Sequence, residues 1–279
     1  DTELLPHDGE PNPYRLDGPI RPVRYELTLE PDLEAATFAG EVLISVLVTA
    51  PTDTIACNAL DLDILAAELT EGPLSDGTPL AVTGVSLDAE TERVTFTLER
   101  NLLPGEAHLR VRFNGQLNDK LRGFYRSTFT DDSGVLRTIA TTQMQSTDCR
   151  RAFPCFDEPD FKAVFAIDLT IKSEFLAVSN SSETRREVLA NGLTRIWFAD
   201  TMIMSTYLVA FVVGPLEATE TEMVGDIAVR IIHVPGKSHL TEFGMRAGTF
   251  ALDWFQTYYG VPYPSDKVDL LALPDFAAG

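Results

Sequence analysis

The sequence is poor in the residues that build metal and redox sites. It has only three cysteines and four histidines among 279 residues. The three cysteines, Cys57, Cys149 and Cys155, are too few for a disulfide framework and are expected to be buried free thiols. The histidines are His7, His108, His233 and His239. No two of them have the i, i+4 spacing of a helical zinc pair, so the residues alone predict no metal site.

Positive charge is also scarce. The 22 lysines and arginines are outnumbered by 42 aspartates and glutamates, which gives a formal net charge of −20. The acidic residues are spread along the chain, so a polyanion would be repelled and no nucleic-acid partner is expected. A positively charged ligand group would be attracted, although acidity that only maintains solubility is the alternative.

Long apolar runs are absent. The longest, YLVAFVV at 207–213, is far shorter than the ~20 residues of a membrane-spanning helix, and no membrane partner is predicted. The first residues, DTELLPHDGEPNPYRLDGP, have neither the basic nor the apolar region of a signal peptide. With so few cysteines, these features favour a cytoplasmic protein.

Familiar catalytic motifs are missing too. The sequence contains no GxSxG, GxGxxG, P-loop or HExxH pattern. Asp157 and Glu158 stand side by side before Pro159, so their side chains are expected to point apart rather than form an acid–base pair. Together with Arg150 and Arg151 they are interpreted as a corner held by charge-assisted hydrogen bonds. The residues by themselves give no complete active site.

Alternation of apolar and polar residues dominates the first 215 residues, and this is the period of half-buried strands. Turn sequences such as Ser75-Asp76-Gly77 and Asn191-Gly192 separate the alternating segments. The alternating apolar residues are Tyr25, Leu27 and Leu29; Val42, Ile44, Val46 and Val48; Val94, Phe96 and Leu98; Leu109, Val111 and Phe113; and Phe161, Ala163, Phe165, Ile167, Leu169 and Ile171. The pattern predicts a mainly β fold, with an antiparallel β-sandwich or saddle-shaped domain over residues 1–215.

The pattern changes in residues 216–279. A strand, VRIIHV, precedes apolar residues at spacings of three and four, which predict one amphipathic helix capped by Ser238 and ended by Gly260. Another strand, VDLLALP, follows. One aromatic-rich helix and so few strands do not close a hydrophobic core. Residues 216–279 are therefore predicted to begin a second domain whose remainder lies outside this sequence.

Gln143 and Gln145 are candidate binding residues. They alternate, so their side chains leave the same face if the segment is extended. Two amide oxygens could accept hydrogen bonds from a primary ammonium group. The alternative is that both are ordinary polar residues on a strand that faces solvent.

Four segments in order resemble the N-terminal part of the zinc aminopeptidases of the aminopeptidase N and puromycin-sensitive type. They are GFYRSTF (123–129), TQMQSTDCRRAFPCFDEPDFKAVF (142–165), MSTYLVAFVVG (204–214) and YYGVPYPSDKVDLLALPDFAAG (258–279). The resemblance implies a β-sandwich or saddle domain, followed by the start of a thermolysin-like α/β catalytic domain. Gly279 is similar to the first glycine of the family's GAMEN exopeptidase motif, so the sequence stops before the HExxH helix.

The resemblance also implies roles for individual residues. Gln143 matches the family glutamine, and Gln145 stands where most members have glutamate, in a segment that holds the substrate's free α-ammonium. These two residues and Gly279 are the candidate substrate-binding residues. Zinc is implied in the full-length parent, where its bound water attacks the peptide bond. No catalytic residue and no metal is assigned to this chain, which is expected to be inactive alone.

The implied partners are peptides with a free N-terminus and the remainder of the chain's own catalytic domain. Two other hypotheses remain. One is a non-catalytic scaffold relative of the same architecture, and the other is a free-standing β-rich binding module with residues 216–279 as an appendage. The second predicts that the helix around Trp254 packs stably on the sandwich.

Overall fold

The computed structural model describes residues 15–277, which are mostly β-strand. The strands are β1 (Ile20–Asp32), β2 (Thr37–Val48), β3 (Thr52–Asn58), β4 (Leu62–Glu71), β5 (Thr78–Leu80), β6 (Val82–Asp88), β7 (Arg93–Leu102), β8 (Gly105–Gln116), β9 (Gly123–Thr130), β10 (Leu136–Gln143), β11 (Val164–Lys172), β12 (Leu176–Ser179), β13 (Glu183–Val188), β14 (Leu193–Phe198), β15 (Phe211–Gly214), β16 (Glu217–Ala218), β17 (Glu222–Val224), β18 (Ile227–His233) and β19 (Lys267–Ala272). The α-helix is α1 (Glu242–Tyr259), and short 3₁₀ turns lie at Cys149–Arg151, Ala190–Gly192, Thr206–Leu208 and Ser238–Leu240. The predicted mainly β fold is confirmed.

An eight-stranded sheet forms one layer of the sandwich, in the order β13-β14-β11-β1-β2-β8-β4-β5. Its strands pair antiparallel except for β1 and β11, which run parallel. The alternation predicted for β1, β2, β7 and β8 is confirmed, since the named apolar residues of these strands are all buried. The strand predicted from Phe161 begins instead at Val164, because the backbone N–H of Phe161 closes a turn onto the carbonyl of Glu158.

Two smaller sheets complete the sandwich. The three-stranded sheet has the order β3-β7-β6, and the four-stranded sheet has the order β12-β15-β10-β9. Both contribute buried residues to the same hydrophobic core as the large sheet. At its centre, Phe124 of β9 packs against Phe38 of β2 and Phe211 of β15, with ring centroids 5.1 and 4.8 Å away. Aromatic packing thus joins the layers.

Residues 217–272 form a separate small sheet. β18 pairs antiparallel with β16 and β17, and parallel with β19. Helix α1 packs on this sheet through Met245, which joins Val229 and Ile231 in a small core. The helix ends at Gly260 as predicted, since this residue has the left-handed φ of 65° that favours glycine at a helix C-terminus.

The predicted cap at Ser238 is wrong. Helix α1 begins at Glu242, and Thr241 takes the position before it. Ser238 instead starts a 3₁₀ turn, in which the backbone N–H of Thr241 bonds to the carbonyl of Ser238. This tighter i to i+3 bonding uses the residues that the helical period alone would assign to the α-helix.

Most of the aromatic face of α1 is exposed in the described part of the chain. Phe243 is 74% exposed, Phe250 69% and Tyr258 65%, whereas Met245 is buried. Trp254 stacks on Tyr258 with 4.6 Å between ring centroids, so these side chains cover one another rather than a core. Among the described residues, no helix combines the length and the apolar character needed to cross a membrane.

The packing predicts that two phenylalanines contribute very differently to stability. Phe124→Ala should lower the free energy of unfolding by about 3–5 kcal/mol, because it leaves a cavity between Phe38 and Phe211. Phe243→Ala, at an exposed position, is the matched control and should change it by less than about 0.5 kcal/mol. Urea unfolding followed by circular dichroism measures both, and similar losses for the two variants would contradict this assignment of the core.

Candidate functional site

Strand β15 of the four-stranded sheet is buried on both faces. All four residues of β15 are buried, unlike the alternating strands of the large sheet. Phe211 and Val213 belong to the sandwich core, whereas Val212 between them belongs to a second cluster. A strand covered on both sides has a continuous run of apolar residues, and this accounts for the residues FVV at 211–213 in the longer apolar run of the sequence.

The second cluster joins the sandwich to the small sheet. Its buried members are Ile139, Val178 and Val212 on the four-stranded sheet, and Leu216 and Ile232 in the following segment. The outer face of β10, β12 and β15 therefore packs against β18 and its neighbours, and the two parts of the chain share a hydrophobic interface.

A buried lysine strengthens this interface. The ammonium group of Lys267 at the start of β19 donates to the backbone carbonyl of Ser179 at the end of β12, at 2.7 Å. Lys267 also pairs with Asp269, which accepts two hydrogen bonds from Arg230 at 2.8 and 3.0 Å. Burial alone would raise the pKa of Asp269, but the hydrogen bonds from Arg230 and Lys267 outweigh it and hold that pKa below its ordinary value.

Gln143 is the last residue of β10, and it lies on this same outer face. It pairs with Gly123 of β9, as Ile139 pairs with Ser127 four residues earlier. Residues i, i+2 and i+4 of a strand share a face, so Gln143 lies on the side of Ile139, which contacts the second part of the chain. Its side chain is half-buried.

Gln145 lies beyond the end of β10. Met144 is buried between the two glutamines, whereas Gln145 is exposed in the turn that follows. Pairing with β9 therefore holds the backbone of Gln143 but not that of Gln145, because the paired residues of β10 end at Gln143. Gly279, the third candidate, lies outside the described residues.

Two residues that the sequence analysis did not single out connect β9 to the second part of the chain. The hydroxyl of Tyr125 donates to the backbone carbonyl of Asp275 at 2.8 Å, and the hydroxyl of Ser127 donates to the carboxylate of Asp275 at 2.9 Å. The alternation in GFYRSTF could have placed Tyr125 and Ser127 on one face, but nothing in the sequence shows what that face contacts.

A buried ion pair holds the corner that follows Gln145. The guanidinium of Arg150 bonds to Asp157 at 3.0 Å and to Glu92 at 2.8 Å. The other oxygen of Asp157 accepts from the hydroxyl of Thr206 at 2.6 Å. Burial of Arg150 would lower its pKa, but the bonds to Asp157 outweigh this and raise it. The predicted charge-assisted corner is thus confirmed for this pair.

The other two charged residues of the predicted corner have separate partners. Arg151 pairs with Asp148 and Asp61, and Glu158 pairs with Arg15 near the start of the described chain. Asp157 and Glu158 therefore engage different groups, as expected from their adjacent positions.

Gly123, which pairs with Gln143 at the end of β10, lies in close contact with this corner. Gly123 has a φ of 62°, and a Cβ there would lie 2.7 Å from the Cβ of Arg151 and 2.9 Å from the carbonyl of Asp148. Any other residue at this position would meet both the strained backbone conformation and the corner. The corner therefore packs closely against the strand end that carries Gln143.

The described residues offer one group of possible metal ligands, Cys149, Cys155 and Asp157, whose ligand atoms lie within 4.8 Å of one another. It does not fit zinc. Both oxygens of Asp157 already accept hydrogen bonds, from Arg150 and Thr206. Burial raises the pKa of the Cys149 and Cys155 thiols, and a neutral thiol is a poor ligand. The prediction that all three cysteines are buried and free is confirmed.

The described histidines have structural contacts or lie on the surface. His108 is buried and shares a 2.9 Å hydrogen bond with the hydroxyl of Ser45. His233 is buried with its Nδ1 2.8 Å from the carbonyl of Val234, while His239 is exposed. His7 lies outside the described residues.

Comparison with known proteins agrees with this architecture. Residues 21–208 match the family described as the Peptidase M1 N-terminal domain. Aminopeptidase M1 of Arabidopsis thaliana is 41% identical over 97% of this chain and 30% of its own length. Aminopeptidase 2 of Candida albicans is 39% identical over 93% of this chain and 27% of its own. The puromycin-sensitive aminopeptidase of Caenorhabditis elegans is 35% identical over 95% of this chain and 28% of its own.

The chain belongs to the M1 peptidase family and contains its N-terminal domain. The resemblance described from the sequence segments is thereby confirmed. These relatives are named as aminopeptidases, which are hydrolases, and the chain spans less than a third of the length of each.

The ion pairs of Asp269 predict a pH dependence of stability. Because its folded pKa is depressed, its contribution is fully present above the unfolded pKa of about 3.9 and is lost as the pH falls through the folded pKa. Asp269→Asn should therefore be less stable than the wild type at pH 7, and the difference should shrink below about pH 4. Chemical unfolding at several pH values measures it.

Asp226→Asn is the matched control, since Asp226 is exposed and has no ion pair among the described residues. It should change stability little at any pH. A difference between Asp269→Asn and the wild type that stays constant from pH 7 to pH 3 would contradict the proposed linkage.

Proposed function

We propose that this chain is the N-terminal, substrate-anchoring part of a zinc-dependent metalloaminopeptidase that removes single residues from peptide N-termini. The observation that carries the proposal is the position of Gln143. It ends a strand whose outer face packs on the small sheet, and it lies on that face. An amide oxygen at this edge can accept a hydrogen bond from a substrate ammonium group.

Residues 216–279 are the beginning of the catalytic domain in this proposal, and residues 1–215 form the sandwich domain. The separate hydrogen bonding of β16–β19 supports a boundary near Pro215. So does the exposed aromatic face of α1, because an aromatic-rich helix packs against further protein when its domain is complete. The remainder of the chain's own catalytic domain is its proposed partner.

Zinc is assigned to that remainder and not to the described residues, whose cysteine and aspartate group does not suit it. The isolated chain is therefore proposed to be inactive, and the parent to act on peptides with a free N-terminus. Cytoplasmic location is part of the proposal, supported by the buried, unpaired cysteines. Gly279 is proposed to open the exopeptidase motif.

The proposal predicts activity in the full-length parent that depends on a metal and on a free amine. The purified parent should release the first residue of unblocked peptides but not of N-acetylated ones. A chelator should abolish release, and added zinc should restore it. The 279-residue chain should release nothing under the same conditions. A folded parent that hydrolyses neither kind of peptide would favour a non-catalytic scaffold of the same architecture.

The neutral side chain of Gln145 suggests a second test in the parent. Gln145→Glu would restore the carboxylate found in most relatives of this type, and a charged acceptor bonds an ammonium more strongly than an amide does. We expect KM for aminoacyl substrates to fall by an amount equivalent to about 1 kcal/mol. Glu68→Gln, an exposed change on β4, serves as a control that alters charge elsewhere. Unchanged kinetics for Gln145→Glu would show that this side chain does not contact the amine.

A further inference from the structure

Strand β6 is an open edge of the three-stranded sheet. It ends the order β3-β7-β6, so β7 is its one strand neighbour in the described part of the chain. The register shifts between Val82 and Gly84, and from Gly84 to Asp88 the strand pairs with β7 without interruption. An edge strand directs alternate backbone N–H and C=O groups away from its sheet. Residues 84–88 therefore have the extended geometry and the free backbone groups that a further strand could join.

Other edge strands of the protein carry features that prevent such pairing. β13, at one end of the eight-stranded sheet, has the highly charged sequence ETRREV. β5, at the other end, has only three residues, and one of them is Pro79. Charged side chains, proline and short length are common protections of sheet edges. β6 contains no lysine, arginine or proline, and its one charged residue is Asp88 at its end.

Two apolar side chains of β6 are left partly uncovered at this edge. Val85 pairs with Phe96 and Leu87 pairs with Val94, so each lies on the same face as its partner on β7. Phe96 and Val94 are fully buried, whereas Val85 is 45% exposed and Leu87 50% exposed. The apolar face of the sheet thus continues to its edge, where a further strand would bury both side chains.

A groove of about 1060 Å³ begins where β6 ends. Leu87 and Asp88 line it together with Asp63 of β4. Neither Asp63 nor Asp88 forms an ion pair with another described residue, whereas the two arginines of the groove are already paired with aspartates. Lys120 also lines the groove and has no ion pair among the described residues. The unpaired side chains are therefore two carboxylates and one ammonium group, which favours a cationic ligand.

We propose that β6 is a docking edge for an extended, basic strand of another protein. The partner strand continues the sheet through backbone hydrogen bonds to residues 84–88 and packs apolar side chains on Val85 and Leu87. A lysine or arginine at its end lies beside Asp63 and Asp88. The formal net charge of −20 favours a basic partner over a second copy, because two copies repel each other. The proposal does not depend on the aminopeptidase function.

Binding of a designed peptide to the 279-residue chain tests the proposal. The probe is a short peptide, acetylated at its N-terminus, in which valine and threonine alternate between pairs of lysines. Calorimetry should show one site per chain, and amide hydrogen exchange should become slower in β6 but not in β13.

Two matched peptides test the chemistry of recognition. The same peptide with its valine–threonine core N-methylated should not bind, because it has no backbone donors there. A peptide with glutamate in place of lysine should bind at least about tenfold more weakly at low salt.

Variants of the chain separate the apolar contact from the charge. Val85→Thr with Leu87→Thr keeps β-branched residues on the strand but should raise the Kd of the probe about tenfold, because apolar contacts are lost. Asp63→Asn with Asp88→Asn should raise the Kd about tenfold at low salt and remove most of its dependence on ionic strength. Val188→Thr on the protected edge β13 is the matched control and should leave the Kd unchanged. All these positions are exposed, so the circular dichroism spectra should match the wild type.

Three results would each overturn the proposal. The first is no binding of the probe, or slower exchange only in strands other than β6. The second is a mass that doubles as the chain concentration rises, with β6 protected in the absence of peptide, which would make a second copy the occupant. The third is a probe that binds the 279-residue chain but not the folded full-length parent, which would show that the remainder of the chain covers β6.

Discussion

Burial of strand β15, in the four-stranded sheet, on both of its faces is the constraint on which the rest of the structure depends. Phe211 and Val213 of β15 fill the sandwich core, and Val212 between them fills the interface with the following segment. The same residues therefore stabilise the first part of the chain and orient the second. Since β10 belongs to this sheet, Gln143 has a defined place relative to β18 and β19. Any change that loosened β15 would affect both layers.

The polar corner after β10 helps to hold the end of that strand in place. Arg150 and Asp157 are both buried, and each completes its hydrogen bonds with additional partners, which is the condition under which a buried ion pair is tolerated. Gly123 lets this corner approach the strand end closely. The corner thus supports the candidate site through packing and hydrogen bonding.

The alternation of apolar and polar residues predicted the sandwich strands well, because a strand with one buried and one solvent-exposed face has a period of two. The same alternation and helical spacing predicted the wrong first residue for one strand and for helix α1. The strand expected from Phe161 begins at Val164, where pairing with β1 begins, and the helix expected from Ser238 begins at Glu242 after a 3₁₀ turn. Both errors concern element ends, which depend on hydrogen bonds that periodicity does not encode. The charged corner was predicted because its four residues lie in one short segment, 150–158, although Arg151 and Glu158 have other partners.

The sequence by itself determined the mainly β class, the amphipathic helix α1 and membership of the M1 peptidase family, since the first two rest on local periodicity and the third on the residues of four separate sequence segments. Only the tertiary structure decided that β15 is covered on both faces and that Gln143 lies on the same face of β10 as Ile139, which packs in the interface with the small sheet. It also joined Tyr125 and Ser127 to Asp275, about 150 residues away. Contacts between distant segments depend on how sheets stack, and no local spacing records which face a neighbouring layer will cover.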